Sequence, residues 1–174
     1  MERKIEKFHL LDKTDVFLIR GFFPDIESQH HAIRDIISNV IGVDEVLVHY
    51  PSGRPYLVSR SCNISISHCK KAVGIATSRY TRLGFDVEYR SDKLEKVAYK
   101  FLPEIEYRTS LMSQVFLISA WTFKEAAFKL LNSEIEGPKV LTDISVYDNR
   151  LVRATCHLDD VTFTVVRDKT INLI

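Results

Sequence analysis

Two carboxylates occupy alternate positions in Leu83-Gly-Phe-Asp86-Val-Glu88. Alternate side chains of a strand share a face, so Phe85 and Val87 point one way and Asp86 and Glu88 the other. Like charges side by side on a strand are destabilising. A solvent-facing acidic edge tolerates them, and a bound divalent cation removes the cost. A third carboxylate lies in Trp121-Thr-Phe-Lys124-Glu125-Ala-Ala-Phe-Lys129. On a helix, Trp121, Glu125 and Lys129 fall on one stripe. As a surface pair, Glu125 and Lys129 would contribute only about 0.3 kcal/mol. Taken with Asp86 and Glu88, however, they form a set of three oxygen ligands without Cys or paired His. Such a set points to a hard cation, Mg²⁺ first. Mg²⁺ keeps several waters and accepts substrate phosphate oxygens. Arg54, on the Gly53-Arg54-Pro55 turn, and His68, beside Ser67 at a strand end, join Lys129 as donors for those oxygens. Together these residues imply metal-assisted chemistry on a phosphate or diphosphate.

The elements that must position them follow from periodicity. Gln114 to Leu131 contains no Gly or Pro and is rich in Ala, Leu and Phe, which predicts a long helix. Asn63 to Ser67 alternates polar and apolar residues, and Ala72 to Thr77 resumes strand character. The pair predicts a hairpin with His68 at its rim. Upstream, Asp15 to Gly21 reads as a buried strand, and Glu27 to Val40 as a helix with Ile33, Ile36, Ile37 and Val40 on one face and Gly42 ending it. His30, His31, Arg34 and Asp35 on its other face read as a solvent face, from which Arg34 could reach a ligand phosphate. Glu45 to Tyr50 is a further strand, followed by the 51–55 turn. Ser91 to Phe101 is a helix stopped by Pro103, and 104–109 a polar connector or short helix. After Leu131 a loop through Gly137-Pro138 leads to strands at 144–147, 151–157 and 161–166, with turns at Asp148-Asn149 and Asp159-Asp160.

The chain of 174 residues suits one domain or two fused half-domains. Its net charge of +1 supplies no global field for nucleic acid or an anionic membrane. The charged N-terminus is followed by no long apolar segment, so neither a signal peptide nor a membrane span is expected. Cys62, Cys69 and Cys156 are odd in number and read as free thiols of a reducing, cytoplasmic compartment. Cys62, His68 and Cys69 lack a fourth ligand of suitable spacing, so zinc is not expected.

Four segments occur in order: Gly53-Arg54-Pro55, Asn63-Ile-Ser-Ile-Ser67-His68-Cys69, Gly84-Phe85-Asp86-Val87-Glu88 and Trp121-Thr-Phe-Lys124-Glu125-Ala-Ala-Phe-Lys129. Together they resemble the 4′-phosphopantetheinyl transferase superfamily in its Sfp-like, single-chain branch. Phe101-Leu-Pro-Glu104 resembles that family's short linking motif. The resemblance implies an α+β fold of two similar halves, about 1–78 and 79–174, each a small antiparallel sheet packed with a long helix. It implies transfer of 4′-phosphopantetheine from coenzyme A to a serine of an apo acyl or peptidyl carrier protein, releasing adenosine 3′,5′-bisphosphate. It also implies that Asp86, Glu88 and Glu125 hold Mg²⁺, and that Glu125 is the base for the incoming serine. Lys129 would steady the diphosphate, while Arg54, Ser67 and His68 would contact coenzyme A phosphates. A monomer is expected.

The sequence departs from the family pattern at four points. Arg54 stands at the usual Lys position, Cys69 replaces a Ser, Phe85 replaces a small aliphatic residue, and the N-terminal half is short. The basic residues that would grip the adenosine end are not identified by sequence. Lys70, Lys71, Arg79 and Arg82 form an expected basic docking patch for an acidic carrier. The role of Lys124, about a hundred degrees round the helix from Glu125, stays open. So do two alternatives: a non-catalytic paralogue that binds coenzyme A or a carrier protein, and a Mg²⁺-dependent phosphohydrolase.

Overall fold

In a computed structural model, which describes residues 4–131 and 140–169, the chain is a mixed α+β structure. Its first sheet is antiparallel, in the order β1-β2-β6-β5. It is built from β1 (Glu6–Leu10), β2 (Thr14–Arg20), β5 (Asn63–Cys69) and β6 (Ala72–Ser78). Between β2 and β5 lie helix α1 (Ile26–Ile36), a π-helical turn (Ile37–Ile41) and a two-stranded ribbon of β3 (Leu47–His49) with β4 (Pro55–Leu57). The second sheet is also antiparallel, in the order β7-β9-β8, from β7 (Leu83–Tyr89), β8 (Leu151–His157) and β9 (Val161–Asp168). Between β7 and β8 come α2 (Asp92–Val97), α3 (Glu104–Met112), α4 (Gln114–Leu131) and α5 (Val140–Asp143).

Alternation along the strands explains the layering. Phe17, Ile19, Val73 and Ile75 face α1, meeting Ala32, Ile33 and Ile36. Their neighbours Val16, Leu18 and Ala76 face the second sheet, where Phe85, Val87, Phe163 and Val165 join them. The far side of the second sheet receives α4, whose Thr122 hydroxyl meets that of Thr164 on β9 at 2.7 Å. Asp25 caps α1 by accepting from the Ser28 backbone N–H at 2.8 Å, which fixes where that helix starts.

The two sheets meet along their edge strands β5 and β7. Two serine hydroxyls bridge them: Ser65 Oγ accepts from the Phe85 N–H at 2.9 Å, and Ser67 Oγ donates to Asp86 Oδ1 at 2.7 Å. Gly84 sets how closely α4 approaches β7. A Cβ there would lie 1.7 Å from the Ala126 carbonyl oxygen, so only glycine permits this packing.

Several expectations need correction. Residues 144–147 form bends and turns and not a strand. Ile144 and Val146 are buried as anchors against α4 instead of pairing in a sheet. The Asp148-Asn149 turn therefore precedes β8 without closing a hairpin. Strand β1 was missed because it is an edge strand of charged residues, with Phe8 and Leu10 as its inward positions. Residues 104–109 take the helical of the two forms expected for them, as part of α3. The expected basic patch is split: Lys70 and Lys71 sit at the β5–β6 turn, while Arg79 follows β6 at the hairpin's other end, about 23 Å away for seven-residue strands. The expected loop through Gly137-Pro138 lies outside the described residues. Among the described residues no helix is long and apolar enough to cross a membrane.

Candidate active site

Strand β7 presents Gly84, Asp86 and Glu88 on the face that meets α4, and α4 presents Trp121, Glu125 and Lys129. Ser67 and His68 arrive from the end of β5. Six expected site residues (Ser67, His68, Asp86, Glu88, Glu125 and Lys129) and Trp121 line one cleft of about 940 Å³. This is the size of a site for a substantial organic ligand.

Asp86 is the hub of the acidic wall. It is 6% exposed. Its Oδ1 accepts from Ser67 Oγ and from Lys129 Nζ, each at 2.7 Å. Lys129 Nζ donates also to the Phe85 carbonyl at 3.1 Å, so the lysine is held across the helix–strand junction. Trp121 packs edge-on against Phe101 at 4.7 Å between ring centroids, which wedges this face of α4 in place.

The remaining carboxyls carry a surplus of negative charge. Burial, with Asp86 and then Glu88 beside it, pushes the Glu125 carboxyl up to about 7, against the pull of Lys129. Burial also raises Glu88, and the Asp86 charge adds to this. His68 moves the other way: desolvation and the Lys129 charge hold its imidazole below the ordinary range, which favours the neutral form.

These features define what the site can hold. Among the described residues, no three or more His, Cys, Asp or Glu side chains close up into a group able to hold a metal ion by themselves. Asp86, Glu88 and Glu125 instead share a cleft wall, with one lysine among three carboxyls. This donor set fits Mg²⁺, which accepts a few carboxylate oxygens and completes its shell with waters and phosphate oxygens. A cation would also offset the Asp86 charge that adds to the burial raising Glu88 and Glu125.

Arg54 is not in this cleft. Its flanking Gly53 and Pro55 are, while the Arg54 side chain, half-buried, lines a neighbouring cavity of about 280 Å³ shared with Glu125 and Lys129. Burial and the nearby Arg82 charge hold its guanidinium below its ordinary pKa, a position that favours an anion.

Of the rest of the cleft wall, sequence reasoning offered only Arg34, as a residue able to reach a phosphate, and missed His30 and His49. His30 and Arg34 of α1 and His49 of β3 line it, on elements other than those that carry the carboxylates. The signal was the one-turn spacing of His30 and Arg34 on the polar face of α1. Arg34 is the cation of this set, and the two imidazoles add hydrogen-bonding nitrogens for the far end of a long anionic ligand.

Lys124 is assigned by its surroundings. It is fully buried and turned away from the cleft. Its Nζ lies 2.9 Å from Glu106 Oε2 on α3 and donates to the Leu141 carbonyl at 3.0 Å and the Ile144 carbonyl at 2.5 Å. Burial lowers its pKa while Glu106 pulls it back. Glu106 also accepts from the Val146 N–H at 2.9 Å. Lys124 therefore ties α4 to α3 and the 141–146 segment.

In comparisons with known proteins, no family model matches the chain and no curated protein matches it in sequence.

Proposed function

We propose that this chain is a Mg²⁺-dependent 4′-phosphopantetheinyl transferase with two similar α/β halves. It moves phosphopantetheine from coenzyme A to a serine of an apo acyl or peptidyl carrier protein. The observation that carries the reading is one cleft whose wall holds Asp86, Glu88, Glu125 and Lys129 and also His30, Arg34, His49 and His68. Carboxylates for a cation and nitrogen donors for phosphates, Arg34 and Lys129 among them, thus share one cavity of coenzyme size. Two antiparallel sheets, each with a helix on its outer face and joined at β5 and β7, support the two-half reading of the fold.

The residues divide the work. Asp86, Glu88 and Glu125 would hold Mg²⁺ beside the diphosphate. Bound there, the ion supplies charge neutralisation for the phosphoryl oxygens. Ser67 and Lys129 keep Asp86 oriented, through the two 2.7 Å contacts on Oδ1. Glu125, on the cleft wall, takes the proton from the serine Oγ. That oxygen bonds to the β-phosphorus of coenzyme A. The bond from this phosphorus to the bridging oxygen breaks, and its electron pair leaves with adenosine 3′,5′-bisphosphate. Lys129 balances charge on the departing group. His30, Arg34 and His49 hold the adenosine end, and neutral His68 donates to a phosphate oxygen.

The test is incubation with coenzyme A, Mg²⁺ and a panel of apo carrier proteins, read by intact-protein mass spectrometry. A phosphopantetheine adduct on at least one carrier is the expected result. Tight coenzyme A binding with no adduct on any carrier would replace this reading with that of a binding protein. Phosphate release without an adduct would indicate a hydrolase.

A further inference from the structure

The irregular backbone of the molecule gathers in one place. Among the described residues, four non-glycine positions are left-handed: Leu11, Asp12 and Lys13, with φ of 45°, 24° and 59°, and Arg60, with φ of 56°. Each puts a Cβ where glycine alone sits without cost, and such strain collects at functional sites. The π-helical turn Ile37–Ile41 is a second irregularity, of a rare form that also marks functional sites. Lys13, Val40 and Ile41, with Ser61 next to Arg60, all line one cavity of about 660 Å³.

This cavity lies on the part of the first sheet that α1 leaves uncovered. The helix packs over Ile19 and Val73, toward one end of β2 and β6. Toward the other end His9 pairs with Asp15 and Asp15 with Thr77, so the three share a face, and Lys7 lies on it two residues before His9. The cavity and the acidic cleft have no described lining residue in common. The π turn stands between them: Ile37 and Ser38 line the cleft, and Val40 and Ile41 line this cavity.

The lining defines the class of ligand. Lys7, Lys13 and Arg79 bring three positive charges, and Asp15 is the one carboxylate among the described lining residues, which leaves a surplus of two. Asp15 is already engaged by Lys7 at 3.0 Å and His9 at 2.9 Å. A phosphomonoester, with a charge of about −1.5 to −2 at neutral pH, matches that surplus. The three cations come from three segments, β1, the β1–β2 turn and the residue after β6, which suits a group with oxygens in several directions. Lys13 is held for this role, its Nζ 4.6 Å from the centroid of the Tyr80 ring. Ser61 and Thr77 add hydroxyls, and Phe17, Val40 and Ile41 add apolar wall. The volume is that of a small-molecule site.

We propose that this cavity is a second ligand site, separate from the acidic cleft, and that it takes a small phosphomonoester with an apolar or aromatic body. Lys7, Lys13 and Arg79 hold the phosphoryl group, while Phe17, Val40 and Ile41 hold the body. The site stands on its own geometry and charge and does not depend on the transferase reading of the cleft.

The test is a titration of ¹⁵N-labelled protein with phenyl phosphate, followed by amide shifts in wild type, in a Lys13→Glu, Arg79→Glu double variant and in Lys129→Met. Lys13 and Arg79 are exposed, so their replacement should leave the fold intact, which the spectrum itself reports. Shifts around 7–17, 40–41 and 77–80 should saturate with a Kd of about 1 mM or below. The double variant should weaken this binding by about tenfold or more. Lys129→Met, altered only in the cleft, should keep it. Inorganic phosphate leaves the apolar wall unused and should bind about tenfold more weakly than phenyl phosphate. Absence of saturable shifts, their survival in the double variant or their loss in Lys129→Met overturns the proposal. Equal affinity for inorganic phosphate, or tighter binding of the aromatic dicarboxylate phthalate, overturns the assigned ligand class. The two readings fail separately: a carrier adduct without these shifts leaves the transferase and removes the second site, and the shifts without an adduct do the reverse.

Discussion

Lys124 and Lys129 belong to the same helix, five residues apart, and do opposite things. Lys124 is fully buried, with a carboxylate and two carbonyls around its ammonium. Lys129 stands half-buried at a cleft, on Asp86, with Glu125 and Glu88 nearby. Around Lys124 charges balance and every element is locked. Around Lys129 three carboxyls outnumber one ammonium, and burial, with the Asp86 charge adding to it, raises the Glu125 carboxyl to about 7. The difference separates architecture from chemistry: a satisfied buried pair holds the fold, while an unbalanced, accessible cluster is ready for a ligand.

The two lysines offer the strongest way to break this comparison. Lys124→Met leaves Glu106 buried without its cation and should cost about 3–5 kcal/mol of stability. Lys129→Met, whose ammonium is partly exposed, should cost less stability than Lys124→Met but reduce transfer about a hundredfold or more. Urea unfolding and single-turnover transfer measured on both variants check this. A stable Lys124 variant or a fully active Lys129 variant would undo the assignment. Gly84→Ala comes next. The added methyl meets the Ala126 carbonyl and must push α4 off β7, at about 3 kcal/mol. Because Glu125 and Lys129 move with the helix, transfer should fall further than stability alone accounts for.

A smaller effect concerns pH in metal-free protein. The Glu125 carboxyl is raised in the folded state, from an ordinary 4.5 to about 7. Between these values the folded chain binds more protons than the unfolded chain. Its contribution to stability is thus fully present below about 4.5 and is lost as pH rises through 7. Glu88, also raised, acts in the same direction. Wild-type protein in chelator should lose about 1–3 kcal/mol from pH 5 to pH 8. Glu125→Gln should flatten this slope, and Mg²⁺ with coenzyme A should restore wild-type stability at pH 8. Equal slopes for wild type and variant would show that the Glu125 carboxyl is not raised in the folded protein.

Much of the site was legible because it depends on local periodicity. The alternation of Asp86 and Glu88 and the helical stripe of Trp121, Glu125 and Lys129 each need only a correctly assigned element. What was not legible depended on distant partners. Lys124 meets Glu106 from another helix, and nothing in either segment announces the pair. His30 and Arg34 read as a solvent face until the β3–β4 ribbon and β7 enclose the cleft around them. The strand expected at 144–147 failed for the same reason. Its alternating apolar residues satisfy a helix cluster and the Glu106 carboxylate, and not a neighbouring strand. Strand β1 was hidden by charges that pair across the sheet, Arg20 with Glu6 at 2.7 Å and Lys7 with Asp15 at 3.0 Å.

The central claim is that Glu125 performs chemistry at this wall. Its most direct test is an intact-mass time course of an apo carrier protein with coenzyme A and Mg²⁺, run with wild type and with Glu125→Gln. The substitution removes a charge and conserves volume, so circular dichroism should report the same fold. Wild type should add phosphopantetheine to the carrier, and the variant should be slower by about a thousandfold. A Glu125→Gln protein that transfers at near the wild-type rate, or a wild type that forms no adduct, would contradict the account.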